Sequence, residues 1–124
     1  MRFFRTILAA TDLVKTSDPV VVSALKVAIH HKARLILLHV LESTSSRDRA
    51  KVRDFRSGEE VIAGPDYERA VLGALRSTYR RYLSLHTPVD VLVKTGFPWM
   101  QVVAQAFREE VDVIFLGPHA GRAR

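Results

Sequence analysis

Four short and almost uninterrupted apolar runs, Thr6 to Ala10, Leu35 to Val40, Val89 to Val93 and Val113 to Leu116, constrain this chain more than any other feature. A strand with one wet face alternates apolar and polar residues, so runs this continuous predict strands covered on both faces. The segments between them follow a helical period instead. Asp18-Pro19, an N-cap type residue followed by proline at the first helical position, opens a helix with Val21, Val22, Leu25, Ala28 and Ile29 on one stripe. A second helix is predicted from Asp66 to Leu85, with Tyr67, Val71, Ala74, Leu75, Thr78 and Tyr82 on a common face and Arg69, Arg76 and Arg80 turned elsewhere. A third opens at Pro98, is expected to bury Val102, Val103, Ala106 and Phe107, and ends near Glu110; Trp99 and Met100 at its start are expected to pack beneath a loop.

Alternating strands and helices joined by right-handed crossovers predict an α/β fold, an open parallel sheet with helices on both faces. One domain is expected over residues 1–124. Residues 43–64, where Ser43-Thr44-Ser45-Ser46 is followed by Arg47, Arg49, Lys51, Arg53 and Arg56, read as a mobile loop. In sheets of this kind ligands lie outside the carboxyl ends of the strands, where the strand order reverses. That rule selects Ala10-Thr11-Asp12, Val40-Leu41-Glu42, Lys94-Thr95-Gly96 and Gly117-Pro118-His119.

Composition removes several classes of function. The chain has no cysteine, which excludes disulfides, thiolate metal sites and a cysteine nucleophile. No apolar run is long enough to span a membrane, and Asp12 ends the stretch after Arg2 and Arg5 before it can serve as a signal-peptide core, so a soluble, cytoplasmic protein is expected. The net charge of +6 draws anions from a distance, but the basic cluster is interleaved with Asp48, Asp54, Glu59 and Glu60 and reads as a solvated face. Beside Arg76, Arg80 and Arg81 only Tyr79 and Tyr82 offer rings for base stacking, so nucleic acid is not expected as a partner. His30 and His31 are neighbours and point to different helix faces, and His39 lies inside an apolar strand, where it reads as a core histidine bonded to a neighbour; no metal site is expected. No serine has a nucleophile-elbow context, and no enzyme signature is present.

Asp12, at the end of the first strand, suits hydrogen bonds to a base or ribose, coordination of Mg²⁺, or acceptance of a phosphoryl group. The last would call for acidic company and an Asp after the third strand; Thr11, Leu13 and Lys94-Thr95-Gly96 stand there instead, so it is rejected. Stabilisation of the following loop through its amides is the alternative to ligand binding. Gly117-Pro118-His119-Ala120-Gly121-Arg122 permits close backbone approach to an anion, and equally reads as a turn.

Taken in order, Ile7-Leu8-Ala9-Ala10-Thr11-Asp12, Leu35-Ile36-Leu37-Leu38-His39-Val40, Gly96-Phe97-Pro98 and Val111-Asp112-Val113-Ile114-Phe115-Leu116-Gly117 resemble the successive blocks of the universal stress protein family. The resemblance implies a Rossmann-like parallel sheet of the adenine nucleotide alpha hydrolase type, commonly dimeric, in which some members bind ATP and others do not. It places Ala10, Thr11 and Asp12 beside adenine and ribose, Val40 at the adenine edge through its backbone, and Gly117, His119 and Gly121 in the phosphate loop. The ATP-binding pattern is glycine, two residues, glycine, nine residues, then glycine with Ser or Thr. Here Ala120 holds the second glycine position with Gly121 one place late, and the sequence ends at Arg124, ahead of the closing Gly-Ser/Thr and of the family's last helix and fifth strand. The resulting expectation is a C-terminally short, four-stranded regulatory module of the stress response that binds ATP or another adenine nucleotide weakly. The alternative is an interaction domain that binds no nucleotide and acts through homodimerisation or another association. Slow ATP hydrolysis is a third reading, with no Mg²⁺ ligand beyond Asp12 to favour it.

Overall fold

The computed structural model describes residues 4–12, 18–54, 56–83 and 87–117. Strand β1 (Thr6–Ala10) leads through helix α1 (Asp18–His31) to strand β2 (Arg34–Glu42). A short pair, β3 (Lys51–Arg53) and β4 (Glu60–Ile62), precedes helix α2 (Pro65–Thr78) and the single turn α3 (Arg80–Leu83). Strand β5 (Val89–Gly96), helix α4 (Pro98–Arg108) and strand β6 (Val113–Leu116) complete the order. Four strands form one parallel sheet, β5-β2-β1-β6, with helices on both faces.

The expected α/β architecture and its four strands are thus present. β2 and β5 run further than their apolar stretches, because Val40 still pairs with Lys94, Leu41 with Thr95 and Glu42 with Gly96. The ladder is made by backbone groups, so it continues past the point where buried side chains are needed.

Residue parity sorts the core into two layers. Ile7, Ala9, Leu35 and Leu37 face α1 and α2, where they meet Val21, Ala24, Leu25, Ala28, Leu75 and Tyr79. Leu8, Ile36 and Leu38 face α4 and meet Val102. Leu35, Ile36, Leu37 and Leu38 are all fully buried. At about 1.5–3 kcal/mol for each such side chain, β2 is the strand that commits the sheet to being covered on both sides.

The structure adds to the expectations and departs from some of them. Residues 43–64, expected as a mobile loop, hold a β-hairpin: β3 and β4 pair antiparallel, and Ser43 bridges to Val52. Val52 is buried with Leu41 and Val71, so one apolar residue seats the hairpin on the end of β2 and on α2. The second helix breaks after Thr78. Tyr79 leaves helical geometry at the C-cap (φ −110°, ψ 22°) and is buried, so its ring is not available for base stacking. Helix α4, finally, turns Val102 and Gln105 inward, and leaves Val103 exposed, Phe107 88 % exposed and Trp99 71 % exposed, with Met100 also on the surface. Its apolar residues occupy an arc wider than the strip that touches the sheet. For the same reason Ile29, at the margin of the α1 stripe, is exposed while Val21, Leu25 and Ala28 are buried.

The hairpin turn is organised by one carboxylate. Asp54 Oδ2 accepts bonds from the amides of Arg56 (3.1 Å) and Ser57 (2.9 Å) and from the Ser57 hydroxyl (3.1 Å), and Gly58 closes the turn with φ +76°. The Tyr67 hydroxyl of α2 donates to Asp54 Oδ1 at 2.6 Å. That hydroxyl, more than the Ser57 amide, pulls the Asp54 pKa down to about 2, while burial and then the carboxylate push Tyr67 up to about 12. A carboxyl depressed in the fold stabilises it fully above its unfolded value of about 3.9, and the contribution fades as pH falls through about 2. We therefore expect carboxyl-carbon NMR to show Asp54 titrating near pH 2, and Tyr67→Phe to move the midpoint up toward the ordinary carboxyl range. A midpoint already in that range in the unmodified protein would refute the tie between hairpin and helix.

Candidate functional site

The chain passes outward from β1 to β2 to β5, then returns through α4 to place β6 on the other side of β1. Strand order therefore reverses between β1 and β6, the position where sheets of this kind open a crevice beyond their carboxyl ends. Ala10 pairs with Leu38 on one side and Leu116 on the other, so Thr11-Asp12 and Gly117 leave the sheet as neighbours. Ala10 and Val40 both face the α4 layer, where they flank Leu8, Ile36 and Leu38 and are only half-buried. Asp12 and Gly117 are likewise half-buried. Five of the residues expected at a binding site, Ala10, Thr11, Asp12, Val40 and Gly117, are thus gathered at the ends of three adjacent strands. His119 and Gly121 lie outside the described residues.

Thr11 differs from the others in direction. It shares parity with Ile7 and Ala9, so its side chain turns to the opposite layer, is buried, and lies 2.7 Å from the Tyr79 hydroxyl. Its amide donates to the Leu38 carbonyl at 2.8 Å. Its carbonyl lies 2.8 Å from Nδ1 of buried His39. A carbonyl only accepts, so Nδ1 carries the proton and the tautomer is fixed by this bond. His39 is the bonded core histidine expected from its place in an apolar strand. Tyr79 was not legible as its neighbour; the available signal was a large aromatic with a hydroxyl one residue beyond Thr78, where the helix ends.

On the α4 side the approach is shaped by Gly96-Phe97-Pro98. Gly96 has φ +150°, a conformation that side-chain-bearing residues rarely adopt, and its carbonyl accepts from the Ser43 amide at 2.8 Å. Phe97 is the extended N-cap and Pro98 supplies the preset first helical position. The Ser43 hydroxyl donates to the Arg49 carbonyl at 2.8 Å, and the Arg49 guanidinium stands 5.8 Å from the Phe97 ring centroid. The basic hairpin thereby leans on the start of α4, near the carboxyl ends of β2 and β5. Two crevices, of about 540 and 340 Å³, lie elsewhere, along the outer edge of β5. The first is lined by Arg34, Asp90 and Arg76, and the second by Glu68, Arg69 and Lys94. Arg34 already bonds Asp90 at 2.6 Å and Glu109 at 3.0 Å, which raises its pKa through Asp90 first; this group ties β2 to β5 and to the end of α4. Among the described residues no three His, Asp or Glu side chains gather as a metal site would need. Among the same residues no helix is long and apolar enough to cross a membrane.

The family model for the universal stress protein family matches residues 3–124. This chain belongs to the universal stress protein family. Among solved structures, the universal stress protein UspA from Lactobacillus plantarum aligns over all of this chain and 85 % of its own length, with a TM-score of 0.70 at 18 % identity. Protein Rv1636 from Mycobacterium tuberculosis aligns over 94 % of this chain and 73 % of its own, with a TM-score of 0.63 at 17 % identity. A universal stress protein in complex with cAMP covers 90 % of this chain and 74 % of its own, with a TM-score of 0.56 at 21 % identity. At these identities the neighbours establish the shared fold. Compared by sequence alone with characterised proteins, the chain finds no match. In this universal stress protein, Asp112 also acquires a reason: its carboxylate accepts from the amides of Arg5 (2.7 Å) and Thr6 (3.1 Å), which lowers its pKa and fixes where β1 starts beside β6.

The Thr11–Tyr79 pair predicts a non-additive mutant cycle. Tyr79→Phe or Thr11→Val alone breaks this buried bond and should cost about 0.5–1.5 kcal/mol. The double variant should lose no more than the worse single one, since both partners go together. Urea denaturation measures all three; strictly additive losses would show that the two hydroxyls do not depend on each other.

Proposed function

We propose that this universal stress protein is a cytoplasmic, non-enzymatic binding module of the stress response whose ligand is an adenine nucleotide with a small phosphate group. The observation that carries the reading is the strand-order reversal that sets Thr11-Asp12 and Gly117 side by side, with Val40 one strand away. Val40 and Ala10 offer half-buried apolar surface on which a purine can rest, and its ring edge would meet the Val40 backbone. Asp12, at the mouth, is the acceptor for ribose hydroxyls. Gly117 gives a backbone that a phosphate can approach.

Two features favour a short phosphate over a triphosphate. A fold neighbour is described in complex with cAMP, a single-phosphate nucleotide. In this chain Ala120 replaces the second glycine of the ATP-binding pattern. With that glycine one place late, at Gly121, the triphosphate pattern is not matched, and ATP should bind no better than AMP.

Isothermal titration with cAMP, AMP, ADP and ATP tests this. Weak binding of the monophosphates is expected, with ATP no tighter, and Asp12→Ala should weaken the best ligand at least about tenfold, the loss of one or two ribose hydrogen bonds at about 1.4 kcal/mol per decade. Equal heats from both proteins would remove Asp12 from the site, and no heat with any of the four would remove the site itself. Phosphate release from ATP above a protein-free control would overturn the non-enzymatic part.

A further inference from the structure

Strand β5 forms one edge of the sheet and leaves a row of backbone groups open. The Leu35 amide donates to the Pro88 carbonyl at 2.9 Å and the Ser43 amide to the Gly96 carbonyl at 2.8 Å, so the even-numbered residues of β5 turn their backbone toward β2. In a ladder of this kind successive residues point their amide and carbonyl to opposite sides. Val89, Val91 and Val93 therefore turn theirs outward, and among the described residues no strand lies beside them. At the end of the row the Thr95 carbonyl is met by Nε2 of Gln101 at 3.3 Å. The pairing with β2 is unbroken from Val89 to Gly96, with neither the proline nor the bulge that keeps many edges from accepting another chain.

The same edge lines both crevices, of about 540 and 340 Å³. Val91 and Leu92 belong to the two alike, so the crevices run on from one another along β5, and α2 supplies the wall, Arg76 in the first and Leu72 with Arg69 in the second. Val91, Leu92, Val93 and Leu72 are half-buried, which gives the groove an apolar floor. Its charges are sorted. Asp90 is held by Arg34 at 2.6 Å, Glu68 accepts from the Thr95 hydroxyl at 2.9 Å, and Arg69 is bonded to Asp66 at 2.8 Å. Arg76 and Lys94, one in each crevice, have no carboxylate partner among the described residues.

We infer that the β5 edge docks an extended acidic segment of a partner protein, which joins the sheet as a strand beside β5. A row of alternating donors and acceptors is matched by another extended backbone, and the side chains along the groove then choose its sequence. Apolar residues at alternate positions of the segment rest on Val91 and Leu72, and its carboxylates reach Arg76 and Lys94. Lys94 on an edge repels a basic strand and favours an acidic one. The net charge of +6 draws the same partner from a distance. A second copy fits poorly, because antiparallel pairing of two β5 edges about a twofold axis sets the α2 helices side by side, with Arg69 and Arg76 of each against those of the other. None of Val91, Arg76 and Lys94 belongs to the proposed nucleotide site, so either reading can fail without the other.

Fluorescence anisotropy on the full chain tests it with three labelled peptides as long as β5: one alternating Glu and Val, its Lys-Val counterpart, and the Glu-Val peptide N-methylated along its backbone. Micromolar binding of the first is expected, with the other two weaker by at least about tenfold. Arg76→Glu with Lys94→Glu should weaken the Glu-Val peptide at least about tenfold and strengthen the Lys-Val one. Arg76→Glu alone, a change on the exposed side of α2, should already cost about threefold and leave the circular dichroism spectrum unchanged. Amide hydrogen exchange gives a reading that charge attraction alone would not move: the Glu-Val peptide should slow Val91 and Val93, and leave Leu92, which already faces β2, nearly as it was. No binding of the Glu-Val peptide, equal binding of all three, indifference to both charge variants, or unchanged exchange at Val91 and Val93 would each overturn the inference. Slowing at those amides that follows protein concentration without peptide would overturn it too, in favour of a second copy.

Discussion

A buried threonine at the end of a parallel strand poses a problem that the rest of this structure is arranged to meet. Where β1 stops, Thr11 still lies in the core, with an amide, a carbonyl and a hydroxyl that all need partners. Three residues of two elements supply them: Leu38 of β2 takes the amide, His39 of β2 takes the carbonyl, and Tyr79 from the end of α2 meets the hydroxyl. Leaving one of these unmet would cost about 1–3 kcal/mol, a sizeable share of a small domain's stability. The junction consequently ties the first strand, the central strand and the second helix to one point. It also sets the direction in which Asp12 leaves the sheet, so this buried polar junction and the candidate site meet at adjacent residues.

Much of this was legible in the sequence because continuous apolar runs and helical spacing report burial directly. The runs at Thr6, Leu35, Val89 and Val113 became the four strands, and Pro98 marked the start of α4. What was not legible turned on direction. Val102, Val103, Ala106 and Phe107 share a helical arc, and periodicity alone does not say which edge of an arc meets the sheet. Contact with Leu8, Ile36 and Leu38 selected Val102, and Gln105, a polar residue, took the next inward place. In the hairpin the strands are three residues each and rich in charge, so neither alternation nor apolar content stood out. Its order comes from outside, through Val52 under Leu41 and Val71 and through Asp54 under Tyr67.

The site was readable by position and less so by side chain. Strand-end reasoning found Ala10, Thr11, Asp12, Val40 and Gly117, and the register brings them together. Parity then divides them: Ala10 and Val40 face the α4 layer, while Thr11 faces the other and is held by Tyr79. Thr11 thus bears on a ligand through the backbone it fixes. The distinction was available in principle, since Ile7, Ala9 and Thr11 alternate with Leu8 and Ala10, but which face a ligand would use depended on where α4 lay.

The candidate site and two exposed apolar side chains, Ile114 and Leu116, share strand β6. Gly117 follows directly on Leu116, whose neighbours on β1 are Ala10 and then Thr11, and the outer side of β6 has no strand beside it among the described residues. On its inner side β6 is held along its length by four pairings with β1, and just before its start by Asp112 bonded to the amides of Arg5 and Thr6. Its carboxyl end, where Leu116 pairs with Ala10, carries the glycine expected to approach a phosphate. A layer placed over Ile114 and Leu116 would therefore restrain the strand just where the site needs a fixed backbone, so covering this face and ordering the phosphate side of the site draw on the same few residues.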